Sequence, residues 1–346
     1  MRVPLIESVE PIEFRGIKAC KKPVKLSRFT VLIGRNNSGK TSILEAISML
    51  PVIYITGVSR FPPITWDVRK FMKCLHRDIN SLIYGYTGRA IINYVVRGEK
   101  IVWQYDENKG ITIENEYSIS EEELKLRRRD RILFEMLRDF REHLAELLDA
   151  KGRAQLTSIL LLPNDARFLA ELANALKEES EWAKVEKSGA NTSIVDLIDR
   201  VVYDRFTEAT VRFDKIVLRK ELPDGRVFYV NISDIGDGVE RVLIYGLWLE
   251  TYKPKVVLWD DLEASAHPGL IEAVLEWLAS REWQVVLTTH SYDVLERLVA
   301  IEPEDASVVV LKKGPDDILE PKTLSLEELR SMLESHVDVR KVVDII

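Results

Sequence analysis

The sequence of 346 residues lacks the features that mark several large classes of protein. It holds only two cysteines, Cys20 and Cys74, without CxxC spacing, which argues against a disulfide framework or a zinc site. Its longest apolar runs, such as VVLW at 256–259, fall far short of the ~20 residues that a membrane-spanning helix needs. The first residues show no basic patch followed by an apolar stretch, so we expect no signal peptide, no membrane association and a cytoplasmic location.

The chain has no net positive charge, and glutamine is scarce. The formal net charge is −7, which excludes a protein that coats nucleic acid over its whole surface but leaves room for a local basic patch. Glutamine occurs only at positions 104, 155 and 284, while charged residues make up 30% of the chain. This balance is typical of proteins from heat-loving organisms, and we expect an archaeal source.

What the sequence does contain is a glycine loop between a strand and a helix. The run RFTVLI predicts a strand that ends at Gly34, and TSILEAISML repeats apolar residues at helical spacing. The segment between them fits G-x-x-x-x-G-K-[ST], in which backbone amides surround a β-phosphate, the lysine reaches the β- and γ-phosphates and the hydroxyl ligates Mg²⁺. We therefore expect a nucleotide to be held by Gly34, Asn36, Asn37, Ser38, Gly39, Lys40, Thr41 and Ser42.

Polar residues follow two later apolar strands, as a P-loop site requires. In KVVLWDD, Asp260 is placed to hold Mg²⁺ together with Thr41, and Asp261 to polarise the attacking water as a general base. In QVVLTTHS, His290 is placed to contact the γ-phosphate. Without the P-loop, the same residues would read as solvated acids at the end of a buried strand and as an ordinary surface or core histidine.

Together these motifs resemble the ABC-type ATPase heads of the SMC, RecF and overcoming-lysogenization-defect group. The resemblance rests on IGRNNSGKTSILEAI, on WDDLEASAHP, on TTHS and on FRGIK at 14–18, and covers the two ends of the chain. It implies a P-loop NTPase fold that uses ATP and Mg²⁺, and ATP in place of GTP rests on the resemblance alone. It also implies that two heads sandwich two ATP molecules and that a signature loop of the partner subunit completes each site.

The candidate signature loop, ISDIGDGVERVL at 232–243, departs from the usual LSGGQ-like pattern. If Gly238 matches the last glycine, Gly236 stands where the serine that contacts the γ-phosphate would be, and Ser233 lies three residues earlier. We expect Gly236 and Gly238 to bind the partner's nucleotide through backbone amides at the helix start. A simple glycine-rich start of a helix is the alternative.

Two further positions bear on catalysis. Asp261 replaces the usual glutamate and is one methylene shorter, which predicts slow hydrolysis, with Glu263 as a substitute catalytic residue. The resemblance also implies a polar residue that senses the γ-phosphate. Asn164 and Asp165, directly after an apolar strand, are the best candidates; Gln104 and Gln155 compete, and a surface turn at 164–165 remains an equal alternative.

The order of predicted elements favours an α/β fold with a mostly parallel sheet flanked by helices. We expect residues 1–50 and 211–346 to form a composite ATPase core, 51–118 an antiparallel β-lobe, and 119–210 a large, mainly helical insertion. The basic run KLRRRDR at 125–131 is either a solvated helix face or a nucleic-acid contact. Long coiled coils are not predicted.

The motifs therefore predict an ATPase that dimerises on ATP and acts on a nucleic acid or a protein. Alternatives are a slow or non-hydrolysing ATP switch or clamp, and, with less support, the nucleotide-binding subunit of a transporter. Relatives often carry a Toprim-type metal nuclease domain, for which too few residues follow the last predicted strand. We expect Asp316, Asp317 and Glu320 to lie in a loop, and any nuclease or other effector to be a separate polypeptide.

Overall fold

The fold is built on a seven-stranded sheet. The structure, a computed structural model, describes residues 3–50, 79–108, 110–114, 142–149 and 158–339. The strands of this core sheet lie in the order β2 (Ala19–Cys20), β15 (Ile318–Ser325), β14 (Ala306–Lys313), β4 (Phe29–Gly34), β13 (Gln284–Thr288), β12 (Val256–Trp259) and β8 (Ile159–Leu162).

Five of these strands run in one direction. β4 lies at the centre between β14 and β13, β12 pairs with β13 and β8, and all these pairings are parallel. Every residue of β4, β8, β12 and β13 is buried. Parallel strands that are covered on both faces consist of continuous apolar runs, which is why their sequences show no alternation. The predicted mostly parallel sheet is confirmed.

Eight α-helices are labelled in the described part of the chain, and residues 142–147 form a further short helical segment. The labelled helices are α1 (Lys40–Ser48), α2 (Ala166–Leu176), α3 (Glu179–Ser188), α4 (Ala190–Asp199), α5 (Asp237–Tyr252), α6 (Pro268–Ser280), α7 (Tyr292–Ile301) and α8 (Leu326–Glu334). Helix α5 is buried along most of its length and packs against α2, α3 and α4. Helix α8 begins with a capping box formed by Ser325 and Glu328.

A separate antiparallel sheet forms the β-lobe. Its strands lie in the order β3 (Val24–Lys25), β1 (Ile6–Ile12), β5 (Arg89–Val96), β6 (Glu99–Asp106) and β7 (Gly110–Glu114). The predicted antiparallel lobe is confirmed, but β1 and β3 join it from the part of the chain that we assigned to the core. β1 pairs with β5 over most of its length, which is a long-range pairing that local patterns do not encode.

The predicted insertion also differs from the structure. Strand β8 lies inside residues 119–210, yet it is an integral strand of the core sheet, because its four apolar residues pair with β12. Helices α2 to α4 pack on α5 and thus belong to the same layer. The basic run at 125–131 lies outside the described residues, and the division of the chain into domains stays a prediction.

The remaining strands form a second antiparallel sheet, and one core strand was missed. β9 (Phe206–Arg212), β10 (Lys215–Glu221) and β11 (Val227–Asn231) form two successive hairpins, the second closed by a turn at Pro223, Asp224 and Gly225. Strand β15 covers residues that we expected to be a loop, so the loop prediction for Glu320 was wrong.

Within the described residues, no helix is both long and apolar enough to cross a membrane.

Candidate functional site

The glycine loop lies between the central strand β4 and helix α1. Gly39 is the N-cap of α1 with φ of 95°, and no side chain caps the helix, so its first amides are open to an anion. A Cβ on Gly34 would lie 2.5 Å from both the Leu311 carbonyl oxygen and Ser38 Oγ. Both positions therefore require glycine, one for conformation and one for space.

The loop contains a buried polar atom that fits a phosphate ligand. Ser38 is 4% exposed, and its Oγ has no hydrogen-bond partner among the described residues. A buried hydroxyl without a partner costs free energy, which a bound phosphate oxygen would offset. Asn36 and Asn37 are exposed on the loop, and Ser42 is half-buried in the first turn of α1.

Lys40 is held inside this loop. It is 6% exposed, and its Nζ donates to the carbonyl oxygens of Gly34 at 3.1 Å and Arg35 at 3.2 Å. Burial lowers the pKa of Lys40, while the carboxylates of Asp261, Asp260 and Glu263 act to raise it. The ammonium group is thus placed where phosphate oxygens would replace carbonyl oxygens as acceptors.

Asp260 lies against the start of α1. Thr41 Oγ1 donates to both carboxylate oxygens, at 3.1 and 3.0 Å, and Thr288 Oγ1 donates to Oδ1 at 2.7 Å. Burial, with the neighbouring charge of Asp261, raises the pKa of Asp260 to about 6, although the two hydroxyl contacts lower it. A buried carboxylate beside a threonine hydroxyl offers the hard oxygen donors that Mg²⁺ prefers.

The donor set fits a metal bound together with a nucleotide. Among the described residues, no group of three or more His, Cys, Asp and Glu side chains is placed to hold a metal ion by itself. Mg²⁺ at phosphate sites usually takes only one or two protein ligands and obtains the others from phosphates and water. Thr41 and Asp260 fit that pattern.

Hydrogen bonds to the backbone and to the side chain fix the position of Asp261. Its backbone N–H donates to Thr288 Oγ1 at 2.8 Å, and its Oδ2 accepts from Asn164 Nδ2 at 3.2 Å. Its φ is 45°, a left-handed conformation that is uncommon outside glycine and often found at functional turns. Thr288, which is fully buried, therefore links Asp260 to Asp261, a role that sequence reasoning did not find.

Of the four candidates for the sensing residue, the structure brings Asn164 to the site. Asp165 instead caps α2 by accepting from the Phe168 amide at 2.8 Å. Gln104 lies in strand β6 of the β-lobe, and Gln155 lies outside the described residues. Asn164 follows β8, and Asp261 follows β12. The Asn164 side-chain amide contacts Asp261 because the two strands are parallel neighbours whose carboxyl ends lie at the same edge of the sheet.

Glu263 contacts the end of the neighbouring strand. Its Oε2 accepts from Thr289 Oγ1 at 2.8 Å, and its Oε1 accepts from the backbone N–H of His290 at 2.6 Å. His290 itself is exposed directly after β13. The structure thus brings Asp260, Asp261, Glu263 and His290 to one edge of the sheet, beside the glycine loop.

The two glycines of the candidate signature loop have different environments. Gly236 is exposed with φ of 98°, and a Cβ there would meet nothing within 4 Å. Gly238 is buried, and a Cβ there would lie 2.2 Å from the Ser265 carbonyl oxygen. Gly236 is therefore open to a partner, whereas Gly238 is required for packing within the subunit.

Helix α5 is also tied to the two aspartates. Arg241 donates to the carbonyl oxygen of Asp260 at 2.5 Å and to that of Asp261 at 2.8 Å, and its guanidinium lies 6.0 Å from the ring centre of Trp259. Arg241 is 6% exposed. A buried cation on backbone carbonyls holds the turn after β12 firmly against α5.

One further link joins the FRGIK turn to α1. Arg15 Nε lies 2.9 Å from Glu45 Oε2, and Glu45 is 2% exposed on α1. The charge of Glu45 contributes to the raised pKa of Asp260. This ion pair anchors the turn to α1, the helix that follows the glycine loop.

The comparison with protein families decides the class of protein. The family model described as "AAA domain, putative AbiEii toxin, Type IV TA system" matches residues 29–296. The chain belongs to this AAA family. The match begins at β4 and ends within α7, so it includes the glycine loop, both aspartates and His290. No curated protein matches the chain.

Solved structures show the same fold. An SMC head bound to the C-terminal winged-helix domain of ScpA matches with a TM-score of 0.57 at 14% identity, covering 95% of this chain and 100% of the other. An SMC head with an extended coiled coil bound to a ScpA C-terminal domain, from Pyrococcus furiosus, gives 0.52 at 15%, with coverages of 96% and 100%. The Thermotoga maritima SMC head domain gives 0.50 at 16%, with coverages of 94% and 100%.

The family and the fold agree with the site. This chain is a member of the AAA family with the fold of SMC head domains, and its described residues contain no long coiled coil. The AAA family implies that it binds a nucleotide.

Proposed function

We propose that the protein binds ATP with Mg²⁺, hydrolyses it slowly, and forms an ATP-dependent homodimer that acts on a nucleic acid or protein partner. The observation that carries this proposal is the joint placement of Lys40, Thr41 and Asp260. A buried ammonium group, a hydroxyl and a buried carboxylate meet at the amino end of α1. This arrangement positions the β- and γ-phosphates for phosphoryl transfer.

Each residue of the site has a separate role in the proposed hydrolysis. Lys40 and the amides of the glycine loop bind the phosphates, and Thr41 and Asp260 hold the metal. A Mg²⁺ ion held by these two residues would supply positive charge that offsets the negative charge of the phosphates. Asp261 accepts a proton from the water that attacks the γ-phosphorus in line, while the bond to the β–γ bridging oxygen breaks and ADP leaves. Asn164 orients the Asp261 carboxylate, and His290 contacts the γ-phosphate.

Gly236 supports a two-subunit site. Its exposed backbone at the start of α5, with a φ of 98° and no Cβ, allows another subunit's phosphate to approach closely. The Gly238 side of this helix is occupied by the Ser265 turn. We therefore place Gly236 in contact with the partner's nucleotide, and keep the backbone amide of Gly238 as a predicted second contact.

The slow rate has a direct test in Asp261→Glu. The aspartate carboxylate is one methylene shorter than the usual glutamate, so the water is held less well for attack. We expect the variant to raise steady-state kcat several-fold, with little change in KM, in a phosphate-release assay. An unchanged or lower kcat, in a variant that still binds ATP, would remove Asp261 from this explanation.

A non-hydrolysing ATP clamp is the second candidate, and the short Asp261 side chain favours it. Single-turnover hydrolysis separates the two functions, because a clamp leaves bound ATP intact after many dissociation times. Lys40→Ala, which should not bind ATP, serves as the background for both assays. The nucleotide-binding subunit of a transporter is less favoured, since the exposed loop at Gly236 departs from the transporter signature. Capture of a membrane partner would support that function.

The partner remains a proposal based on relatives. Two of the similar SMC heads are bound to domains of ScpA, so a protein partner on the head is a reasonable first expectation. A nucleic acid, or a nuclease on a separate polypeptide, stands beside it. Pull-down with the Asp261→Asn variant in ATP and Mg²⁺ would favour capture of whichever partner binds the ATP-bound form.

A further inference from the structure

Three acidic residues follow β12 within four positions, and the structure gives each a different neighbour. Asp260 contacts the hydroxyls of Thr41 and Thr288, and Asp261 contacts Asn164. The Glu263 carboxylate instead forms its hydrogen bonds with the residues that follow strand β13. The sequence offered Glu263 as an alternative catalytic residue, but its contacts indicate another role.

Both oxygens of Glu263 accept hydrogen bonds from the segment that carries His290. Oε1 accepts from the His290 backbone N–H at 2.6 Å, and Oε2 accepts from Thr289 Oγ1 at 2.8 Å. Hydrogen bonds to a carboxylate are roughly twice as strong as neutral ones, so this pair fixes the Thr289 side chain and the Thr289–His290 peptide.

The surrounding contacts make this segment rigid. Thr289 is 1% exposed, and its Oγ1 also accepts from the Ser291 N–H at 2.9 Å. In the turn after β12, the Leu262 N–H donates to the Thr288 carbonyl oxygen at 3.2 Å. Glu263 therefore closes a set of bonds between the turn after β12 and the turn after β13.

We infer that Glu263 is a positioning residue that holds His290 toward the γ-phosphate, and that it is not the general base. The inference rests on the proposed ATPase function. Asp261 fits the base role better, because it directly follows the metal-binding Asp260 and its side chain is oriented by Asn164. Loss of the Glu263 carboxylate should free the His290 backbone without removing any group that touches ATP or water.

The test compares turnover in Glu263→Ala, Glu263→Gln, His290→Ala and the Glu263→Ala/His290→Ala double variant. Glutamine keeps one acceptor for the His290 N–H, so it should restore most of the kcat lost in the alanine variant. We expect Glu263→Ala to lower kcat roughly 10- to 100-fold, the range found for residues that orient a functional side chain. The double variant should be no slower than His290→Ala, because residues that act as a unit are not additive.

Two results would overturn the inference. A Glu263→Gln variant as inactive as Asp261→Asn would make Glu263 the base, and additive losses in the double variant would show that it acts independently of His290. Glu276→Ala is the matched control, since Glu276 is an exposed glutamate on α6 and its removal should leave kcat unchanged.

A second readout does not depend on turnover. Selective ¹⁵N-histidine labelling gives one amide signal for each of five histidines, and the His290→Ala spectrum identifies the signal of residue 290. The amide proton of His290 should lie downfield in the wild type and in Glu263→Gln, and move upfield in Glu263→Ala. Absence of this shift refutes the inference, whereas the shift in a chain without ATPase activity refutes only the proposed function.

Discussion

At the scale of single residues, the site contains a buried carboxylate whose ionised form destabilises the folded state. Asp260 is 7% exposed, and burial raises its pKa to about 6, well above that of an unfolded chain. Below its folded-state pKa the carboxyl binds a proton, and as pH rises from about 4 to about 6 the folded state loses stability relative to the unfolded state. The cost is fully present at neutral pH until a cation reaches the site.

Replacing Asp260 with asparagine should therefore stabilise the protein while removing metal binding. Asparagine is nearly the same size and neutral, so we expect the free energy of unfolding at pH 7.5 to rise by about 1 to 3 kcal/mol. Denaturant titration in EDTA measures this, and the gain should shrink at pH 4.5, where the wild-type carboxyl is largely protonated. A gain that is independent of pH, or ATP binding that keeps its Mg²⁺ dependence, would contradict this account of Asp260.

At the scale of elements, helix α5 and the turn after β12 behave as one unit. Arg241 joins them through two carbonyl oxygens, and the start of the helix touches the turn at Gly238. The loop at Gly236, at the start of this helix, is thus connected to the turn that carries Asp261. In the proposed two-subunit site, contact with a partner at Gly236 would be transmitted to Asp261 through this connection.

The close approach at Gly238 predicts a loss of stability in Gly238→Ala. The added Cβ would lie 2.2 Å from the Ser265 carbonyl oxygen and 3.1 Å from Ala266 Cα, so the helix must move away from the turn. Overpacking of this kind costs typically 1–3 kcal/mol. Gly269→Ala in α6 is the matched control: its Cβ would be an ordinary 3.6 Å from His267 Nδ1, and we expect unchanged or slightly higher stability. Denaturant titration of both variants decides the comparison.

Local signals predicted the elements that carry the chemistry. The glycine loop, the WDD strand end and the TTHS strand end were recognised because each combines a buried apolar strand with polar residues at its carboxyl end. Strand β15 was missed because proline and acidic residues in and before it hide its alternation. The roles of Thr288 and Glu263 could not be predicted, since both depend on which strands are neighbours in the sheet.

At the scale of the whole molecule, the same reasoning explains why two strands pair outside the segments to which we assigned them. β1 pairs with β5 in the lobe, and β8 completes the core sheet from within the predicted insertion. Strand pairing between distant segments is specified by the assembled hydrophobic faces, and short sequence patterns do not report it. The ATPase core is consequently larger than the segments whose motifs resemble the family.

The whole-molecule proposal is that two such heads close on ATP. Each subunit contributes the glycine loop, Asp260 and Asp261 to one nucleotide and the exposed Gly236 loop to the other. The Gly236 loop lies at the start of α5, and Arg241 and Gly238 tie that helix to the turn that carries Asp261. Dimerisation and hydrolysis would then be coupled within each head.

The measurement that tests this most directly is the molar mass by light scattering, with and without ATP and Mg²⁺, for wild type, Asp261→Asn and Lys40→Ala. The account predicts a shift from monomer to dimer with ATP and Mg²⁺ that is more complete and longer-lived in Asp261→Asn, because bound ATP is not hydrolysed. It predicts no shift in Lys40→Ala. A mass that does not respond to ATP in Asp261→Asn, or a dimer that persists in Lys40→Ala, would contradict ATP-dependent closure of two heads.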